Sequence, residues 1–161
     1  MIRRFLIIAA LLAPPLAAGV AGPATAGPGV HGFGPRVGVG FGPNQFVVGG
    51  HADFGDLFPQ ARWILPLVEV GLGDGETWIT VATDLVFHPD TNHGGWTPYV
   101  GGELAFQFTS REGDDLTELG LLGVLGADRS AGETNRFGLE LKFGIIDSPN
   151  ARLMAVWTFA N

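Results

Sequence analysis

The stretch Trp-Thr-Pro-Tyr-Val-Gly-Gly-Glu-Leu-Ala-Phe-Gln-Phe, residues 96–108, decides the fold. Its even positions carry large apolar side chains and its odd positions mostly polar ones, Val100, Leu104, Phe106 and Phe108 against Tyr99, Glu103 and Gln107. A β-strand sends successive side chains to opposite faces, so the pattern predicts a strand with one apolar and one polar face. Its length suits a tilted strand that crosses a bilayer.

The rest of the chain repeats this period of two between short connections rich in Gly, Asp and Asn. The further predicted strands are residues 36–41, 45–54, 61–72, 76–88, 117–127, 135–146 and 151–159. Pro66 cannot donate to a strand ladder and predicts a bulge, and residues 110–116 are predicted to form an acidic loop. Short connections indicate antiparallel neighbours. We therefore predict an all-β fold, a single antiparallel up-and-down β-barrel of about eight strands over residues 36–161.

The first 35 residues differ in character from the rest. Residues 1–26 are typical of a cleaved signal peptide, with Arg3 and Arg4 before an apolar run and Ala24-Thr25-Ala26 as the cleavage motif. A transmembrane anchor is the alternative, but the eight apolar residues before Pro14 are too few to span a bilayer. Residues 27–35 are expected to be a Gly/Pro linker without periodic structure.

Composition excludes several classes of protein. Only 16% of residues are charged, against roughly 25% in soluble domains, which leaves little material for a wetted surface. The net charge is −7, and it becomes −9 without Arg3 and Arg4, so binding to a phosphate backbone is not expected. Cysteine is absent, which excludes disulfides and thiolate metal sites.

The alternation leaves two orientations of the barrel wall open. A soluble barrel turns its apolar face inward, whereas a membrane barrel turns it to lipid. The polar faces carry few charges and many small residues, and aromatic side chains lie near predicted strand ends: Phe54, Phe87, Trp96, Tyr99, Trp157 and Phe159. Both features favour the membrane orientation. In the alternative, a soluble periplasmic barrel binds a small apolar ligand in a cavity lined by Leu139, Leu141 and Phe143.

The sequence resembles the small outer-membrane β-barrel proteins of the OmpA/OmpX-like superfamily. The resemblance rests on Thr97-Pro98-Tyr99-Val100-Gly101-Gly102, on residues 117–126 after the acidic loop, and on the paired final strands. It implies a non-enzymatic, monomeric protein of the outer membrane, with outer-membrane lipid and the barrel-insertion machinery as partners. Two departures are present: Phe159 is followed by Ala160-Asn161 rather than ending the chain, and the predicted turns after strands one, three and seven are tight.

Charged residues on the polar faces are the candidate site: Asp53, Glu69, Asp84, Glu103, Glu140, Lys142 and Arg152, with His51 beside them. A proton path, an ion path or an acid/base pair is one interpretation. A structural network that fills the lumen and pairs buried charges is the favoured one, since small barrels pack their interiors with side chains.

The sequence contains residues that could form a metal site or a hydrolase site, but their spacing supports neither. His88, His93, Asp90 and Asn92 share one loop, but their spacing matches no zinc motif, so no metal or other cofactor is predicted. A lipid hydrolase would need a serine–histidine pair at the bilayer rim. Ser110, Ser130 and Ser148 all fall in predicted loops and no G-x-S-x-G occurs, so no catalytic residue is predicted.

Overall fold

The computed structural model describes residues 29–111 and 114–160, and the predicted leader lies outside them. The strands are β1 Gly32–Phe41, β2 Gln45–Phe58, β3 Ala61–Gly73, β4 Glu76–Phe87, β5 Thr97–Arg111, β6 Asp114–Ser130, β7 Arg136–Ile146 and β8 Ala151–Ala160. Each strand pairs antiparallel with its sequence neighbours, and β1 pairs with β8 to close the barrel. The all-β, up-and-down barrel predicted from the sequence is confirmed.

Among the described residues, no helix is long and apolar enough to cross a membrane.

The first strand starts earlier than the sequence pattern predicts. Residues 32–35, expected to belong to the linker, pair with β2 through contacts such as Gly32↔Asp53 and Pro35↔Gly50. At position 34 only glycine fits the close packing against β8, because a Cβ at Gly34 would overlap the backbone carbonyl of Trp157. The alternation of apolar and polar side chains does not reveal this part of the strand, because two of its four residues are glycines without a side chain.

The expected acidic loop is also mostly strand. β5 continues to Arg111 and β6 begins at Asp114, and these two residues are ladder partners. The loop prediction for residues 110–116 is therefore wrong for all of them except Glu112 and Gly113, which lie outside the described residues. Charged side chains fit a strand in this region because its side chains from Asp115 to Leu119 are exposed.

The barrel wall is apolar on the outside and charged on the inside. In β7, Leu139 and Leu141 are 47% and 41% exposed, whereas Glu140 between them is 2% exposed. The same alternation separates outward Val37 and Val39 from inward Arg36. Apolar side chains spread over a whole exterior are stable against lipid and not against water.

Strand β3 carries the predicted bulge near Pro66. Its pairing with β4 shifts between Ile64 and Leu67. The shift turns Ile64 inward against Val86, whereas uninterrupted alternation along residues 61–72 predicts Ile64 on the outer face with Val68. That prediction is wrong because of the bulge. Thr83 Oγ1 donates to the Ile64 carbonyl at 3.2 Å and accepts from Trp63 Nε1 at 2.7 Å. These bonds satisfy polar groups that would otherwise face hydrocarbon unpaired.

The two ends of the barrel differ. At what we call the turn end, β1–β2, β3–β4 and β7–β8 are joined by residues 42–44, 74–75 and 147–150. The opposite end, called the terminus end, holds the first residues of β1, the last of β8, and the longer connections 88–96 and 131–135. The tight turns predicted after strands one, three and seven are confirmed.

Candidate functional site: the charged lumen

Two oppositely charged walls face each other across the lumen. Asp84 of β4 is the ladder partner of Glu103 of β5, and Lys142 of β7 is the ladder partner of Arg152 of β8. Like charges in directly opposed positions destabilise a strand pair by themselves. Each pair of like charges therefore depends on oppositely charged residues of other strands, which closure of the barrel brings into contact: Asp84 on Lys142 and Arg36, and Arg152 on Glu69.

Lys142 is bound to the acidic wall. Its Nζ donates to Glu103 Oε2 and lies 3.1 Å from Asp84 Oδ2. It also lies 3.6 Å from Glu140 Oε1 and 4.0 Å from Glu69 Oε1. The side chain has no exposed surface, so the ammonium group depends wholly on these carboxylates for compensation of its lost hydration.

Arg36 of β1 is the second centre of the layer. Its guanidinium contacts Glu140 Oε1 and lies 3.2 Å from Glu69 Oε1 and 3.7 Å from Asp84 Oδ2. Gly49 is its ladder partner on β2, and a Cβ at Gly49 would lie 2.8 Å from the Glu69 side chain. Glycine at that position leaves room for the Glu69 side chain that Arg36 contacts.

Two further side chains complete the layer. Arg152 donates from Nη1 to Glu69 Oε2 at 2.8 Å and from Nη2 to Thr80 Oγ1 at 3.4 Å. Tyr99 donates its hydroxyl hydrogen to Glu140 Oε2 at 3.0 Å. Tyr99 is buried, so its prediction as an interfacial aromatic is wrong: an odd position on β5 faces the lumen. We call the charged set the central layer: Arg36, Glu69, Asp84, Glu103, Glu140, Lys142 and Arg152.

The structure thus brings together all of the predicted lumen residues except Asp53, and it adds Arg36. Period two already placed Arg36 on the face of Gly38 and Gly40, but the strand was predicted to begin at Arg36. Arg36 is the first residue of the predicted strand and was therefore left out of the alternating pattern. The available signal is that Arg36 is the one charged residue on a face of β1 that otherwise carries glycine.

Asp53 belongs to a second group at the terminus end. Arg136 Nη2 donates to its Oδ2, Arg62 Nε lies 3.7 Å from the same oxygen, and its Oδ1 accepts from Gly55 N at 2.8 Å. Asp128 lies within 4.0 Å of both arginines and 3.6 Å from His88. We call this set the mouth cluster: Asp53, Arg62, His88, Asp128 and Arg136. Asp53 lies apart from the central layer because it is the last buried residue of β2 before the rim.

The open space in the barrel lies on the terminus side of the central layer. A cavity of about 30 Å³ is bounded by His51, Tyr99 and Glu140 together with the mouth cluster. This volume has room for about one or two water molecules. A wider recess of about 520 Å³ adjoins it at the rim, near Arg62 and His88. The central layer itself consists of side chains that are at most 2% exposed.

The other chemical candidates make ordinary contacts. Ser110 bonds Asp115, Ser148 donates to the Ile146 carbonyl at 2.7 Å, and His51 Nε2 lies 3.0 Å from Thr158 Oγ1. Within the described residues none of these forms a serine–histidine pair, and no group of His, Asp and Glu is arranged to hold a metal ion.

Aromatic side chains form a band around the terminus end. The ring centroids of Phe33 and Phe159 are 6.4 Å apart, and those of Phe137 and Trp157 are 4.8 Å apart. Trp96 contacts Phe137 at 6.2 Å, and the Arg129 guanidinium lies 5.7 Å from the Trp96 ring. Aromatic rings with a nearby cation at one level of an apolar wall are typical of a membrane–water interface.

Comparison with solved structures gives the same fold. The crystal structure of Neisserial surface protein A matches with a TM-score of 0.60 and 13% identity, covering 81% of this chain and 95% of that one. The Yersinia pestis outer membrane protein Ail, in a phospholipid bilayer nanodisc, matches with a TM-score of 0.50 and 9% identity, covering 81% and 99%. This chain has the fold of the small outer-membrane barrels. No family model matches the sequence, and a comparison with curated proteins gives no significant match.

Proposed function

We propose that the protein is a non-enzymatic barrel of the outer membrane that contributes to envelope structure or permeability and whose lumen is plugged. The observation that carries this proposal is the combination of a lipid-compatible exterior with the buried central layer. Residues 1–26 support export, and outer-membrane lipid and the barrel-insertion machinery are the proposed partners of a monomeric chain.

The interior supports a structural role more than a catalytic one. Every charged group of the central layer contacts an oppositely charged group, and these side chains are almost completely buried. A substrate would have to displace several buried ion pairs before it met a reactive group. Buried charges are expensive to leave unpaired, so the network favours a single closed arrangement.

Separation of inner and outer membranes tests the location. We expect the protein in the outer-membrane fraction, with gel migration that changes on heating because a closed barrel resists detergent at room temperature. A known periplasmic protein and a known inner-membrane protein serve as markers. Recovery with the periplasmic marker would contradict the proposal and support the soluble alternative.

The soluble, ligand-binding alternative makes an opposite prediction for one residue. It needs Leu139, Leu141 and Phe143 to line a cavity, whereas these side chains point outward and are 40–47% exposed. In the membrane barrel, Leu141→Arg near the bilayer midplane costs roughly 2–4 kcal/mol and impairs assembly. Normal assembly and a normal yield of folded Leu141→Arg would favour the soluble barrel.

A further inference from the structure

Strand β6 extends beyond its neighbour at the turn end. It is the longest strand, Asp114–Ser130, and residues 114–120 pair with β5 from Arg111↔Asp114 to Ala105↔Gly120. The ladder with β7 begins only at Leu121↔Ile146. The edge of residues 114–120 that faces away from β5 therefore has no strand partner within the described part of the chain.

This edge is accessible from both sides of the sheet. All side chains from Asp115 to Leu119 are exposed, and Leu116 and Leu119 reach 56% and 51%. Leu116 and Glu118 share the face of buried Gly120, whereas Thr117 and Leu119 lie on the opposite face. A free edge of this kind presents unpaired N–H and C=O groups, and at about 3.4 Å per residue it extends for roughly 20 Å.

The charges beside the edge select among partners. Asp115 and Glu118 flank it, and the sequence contains no Lys or Arg between Arg111 and Arg129. Asp115 is engaged by Ser110, whereas Glu118 makes no ion pair with any described residue. Pairing with the same edge of a second copy would bring acidic side chains into opposed positions, which is unfavourable. A basic strand would place opposite charges there instead.

We propose that the free edge of β6 binds an extended basic segment of another protein by strand addition. The backbone ladder supplies affinity, and alternate side chains supply specificity. Basic residues of the segment pair with Asp115 and Glu118, and apolar residues pack on Leu116 and Leu119. This surface lies at the opposite end of the barrel from the mouth cluster and does not depend on any chemistry in the lumen.

A binding titration tests the proposal. The probe is a short end-blocked peptide with a fluorescent label, in which Arg recurs at every third position with Val and Thr between. Arg can then oppose both Asp115 and Glu118, which lie on opposite faces of β6. The protein is the purified chain in lipid nanodiscs. We expect saturable binding, weakened about tenfold by the double substitution Asp115→Lys with Glu118→Lys. Glu133→Lys, at the terminus end, is the matched control and leaves affinity unchanged. Equal loss in both variants would show general electrostatic attraction and overturn the proposal.

A second probe separates strand addition from simple charge attraction. N-methylation of alternate peptide nitrogens keeps the charges but removes the donors along one edge of the peptide. We expect one of the two alternate N-methylation patterns to abolish saturable binding. Undiminished binding of both N-methylated peptides would contradict a backbone ladder. Sedimentation of the protein as a dimer that blocks peptide binding would show that a second copy occupies the edge, and would also overturn the proposal.

Discussion

The central layer and the mouth cluster use the same kinds of charged group in different surroundings. Lys142 and its carboxylates have no exposed surface, whereas Arg62 and Arg136 of the mouth cluster expose about a quarter of their side chains. Asp53 is also buried, but the cavity borders the whole mouth cluster, so water can replace a lost partner there more readily than around Lys142. Ion pairs of similar length therefore contribute very differently to the free energy of unfolding, and the difference depends on how deeply each pair is buried.

The largest difference is expected for Lys142→Ala. It leaves Glu103 without a cation and Asp84 with Arg36 alone, 3.7 Å away, and it costs on the order of 3–5 kcal/mol. Arg129→Ala removes a surface contact with Trp96 and costs about 0.5–1 kcal/mol. Reversible urea unfolding in lipid vesicles measures both. Equal destabilisation by the two substitutions would show that the central layer does not stabilise the fold.

Steric crowding next to the central layer sharpens the comparison. A Cβ at Gly126 would collide with the Tyr99 ring, so Gly126→Ala displaces the hydroxyl from Glu140 and costs roughly 1–3 kcal/mol. Gly102→Ala is the control, because its Cβ would lie 3.7 Å from the Leu122 carbonyl oxygen, an ordinary van der Waals contact. Tyrosine fluorescence together with urea unfolding reads out the effect. Indistinguishable stabilities of the two alanine variants would be inconsistent with tight packing around Tyr99.

Neutralising Asp84 and Glu103 should restore part of the stability that Lys142→Ala loses. In the Lys142→Ala background, Asp84→Asn with Glu103→Gln removes the two carboxylate charges that Lys142 had compensated, and we expect roughly 0.5–3 kcal/mol of stability to return. The same two acidic substitutions in the wild type destabilise, since they leave Lys142 with fewer partners. If they fail to raise the stability of Lys142→Ala, repulsion between unpaired carboxylates is not the cause of its loss.

The smallest effect is expected in the mouth cluster. Arg136→Gln removes one partner of Asp53, but Arg62 stays 3.7 Å away, the Gly55 amide still donates to the carboxylate, and a cavity large enough for water borders it. The cost is about 0–1 kcal/mol and is reduced further by salt. Urea unfolding at two salt concentrations measures it. A loss as large as that of Lys142→Ala would erase the distinction between the two regions.

Much of the fold follows from the sequence because period two is a local property. The inward and outward faces of β7 and β8 follow from residues two positions apart, and no knowledge of neighbouring strands is needed. The prediction failed where local pattern was interrupted. Glycines hid residues 32–35 of β1, and the bulge of β3 moved Ile64 to the other face.

The partners within the site were beyond sequence reasoning for a different reason. Arg36 and Glu140 lie 104 positions apart and meet across the lumen. Which residues face each other depends on the register of every ladder around the barrel, and one bulge changes all later alignments. The sequence thus indicated which charges are buried in the lumen, but not that Asp53 would lie apart from Glu69, Lys142 and the rest of the central layer.

Conductance across a planar bilayer tests the central claim most directly. In the proposed function the buried side chains of the central layer plug the lumen, so purified wild-type protein should give no steady large-conductance current. An eight-stranded barrel has an interior just wide enough for side chains to fill. A protein preparation of confirmed folded state, judged by heat-dependent gel migration, is the necessary control. A stable, open, ion-selective current from that preparation would show that the lumen conducts and that the central layer is not a plug.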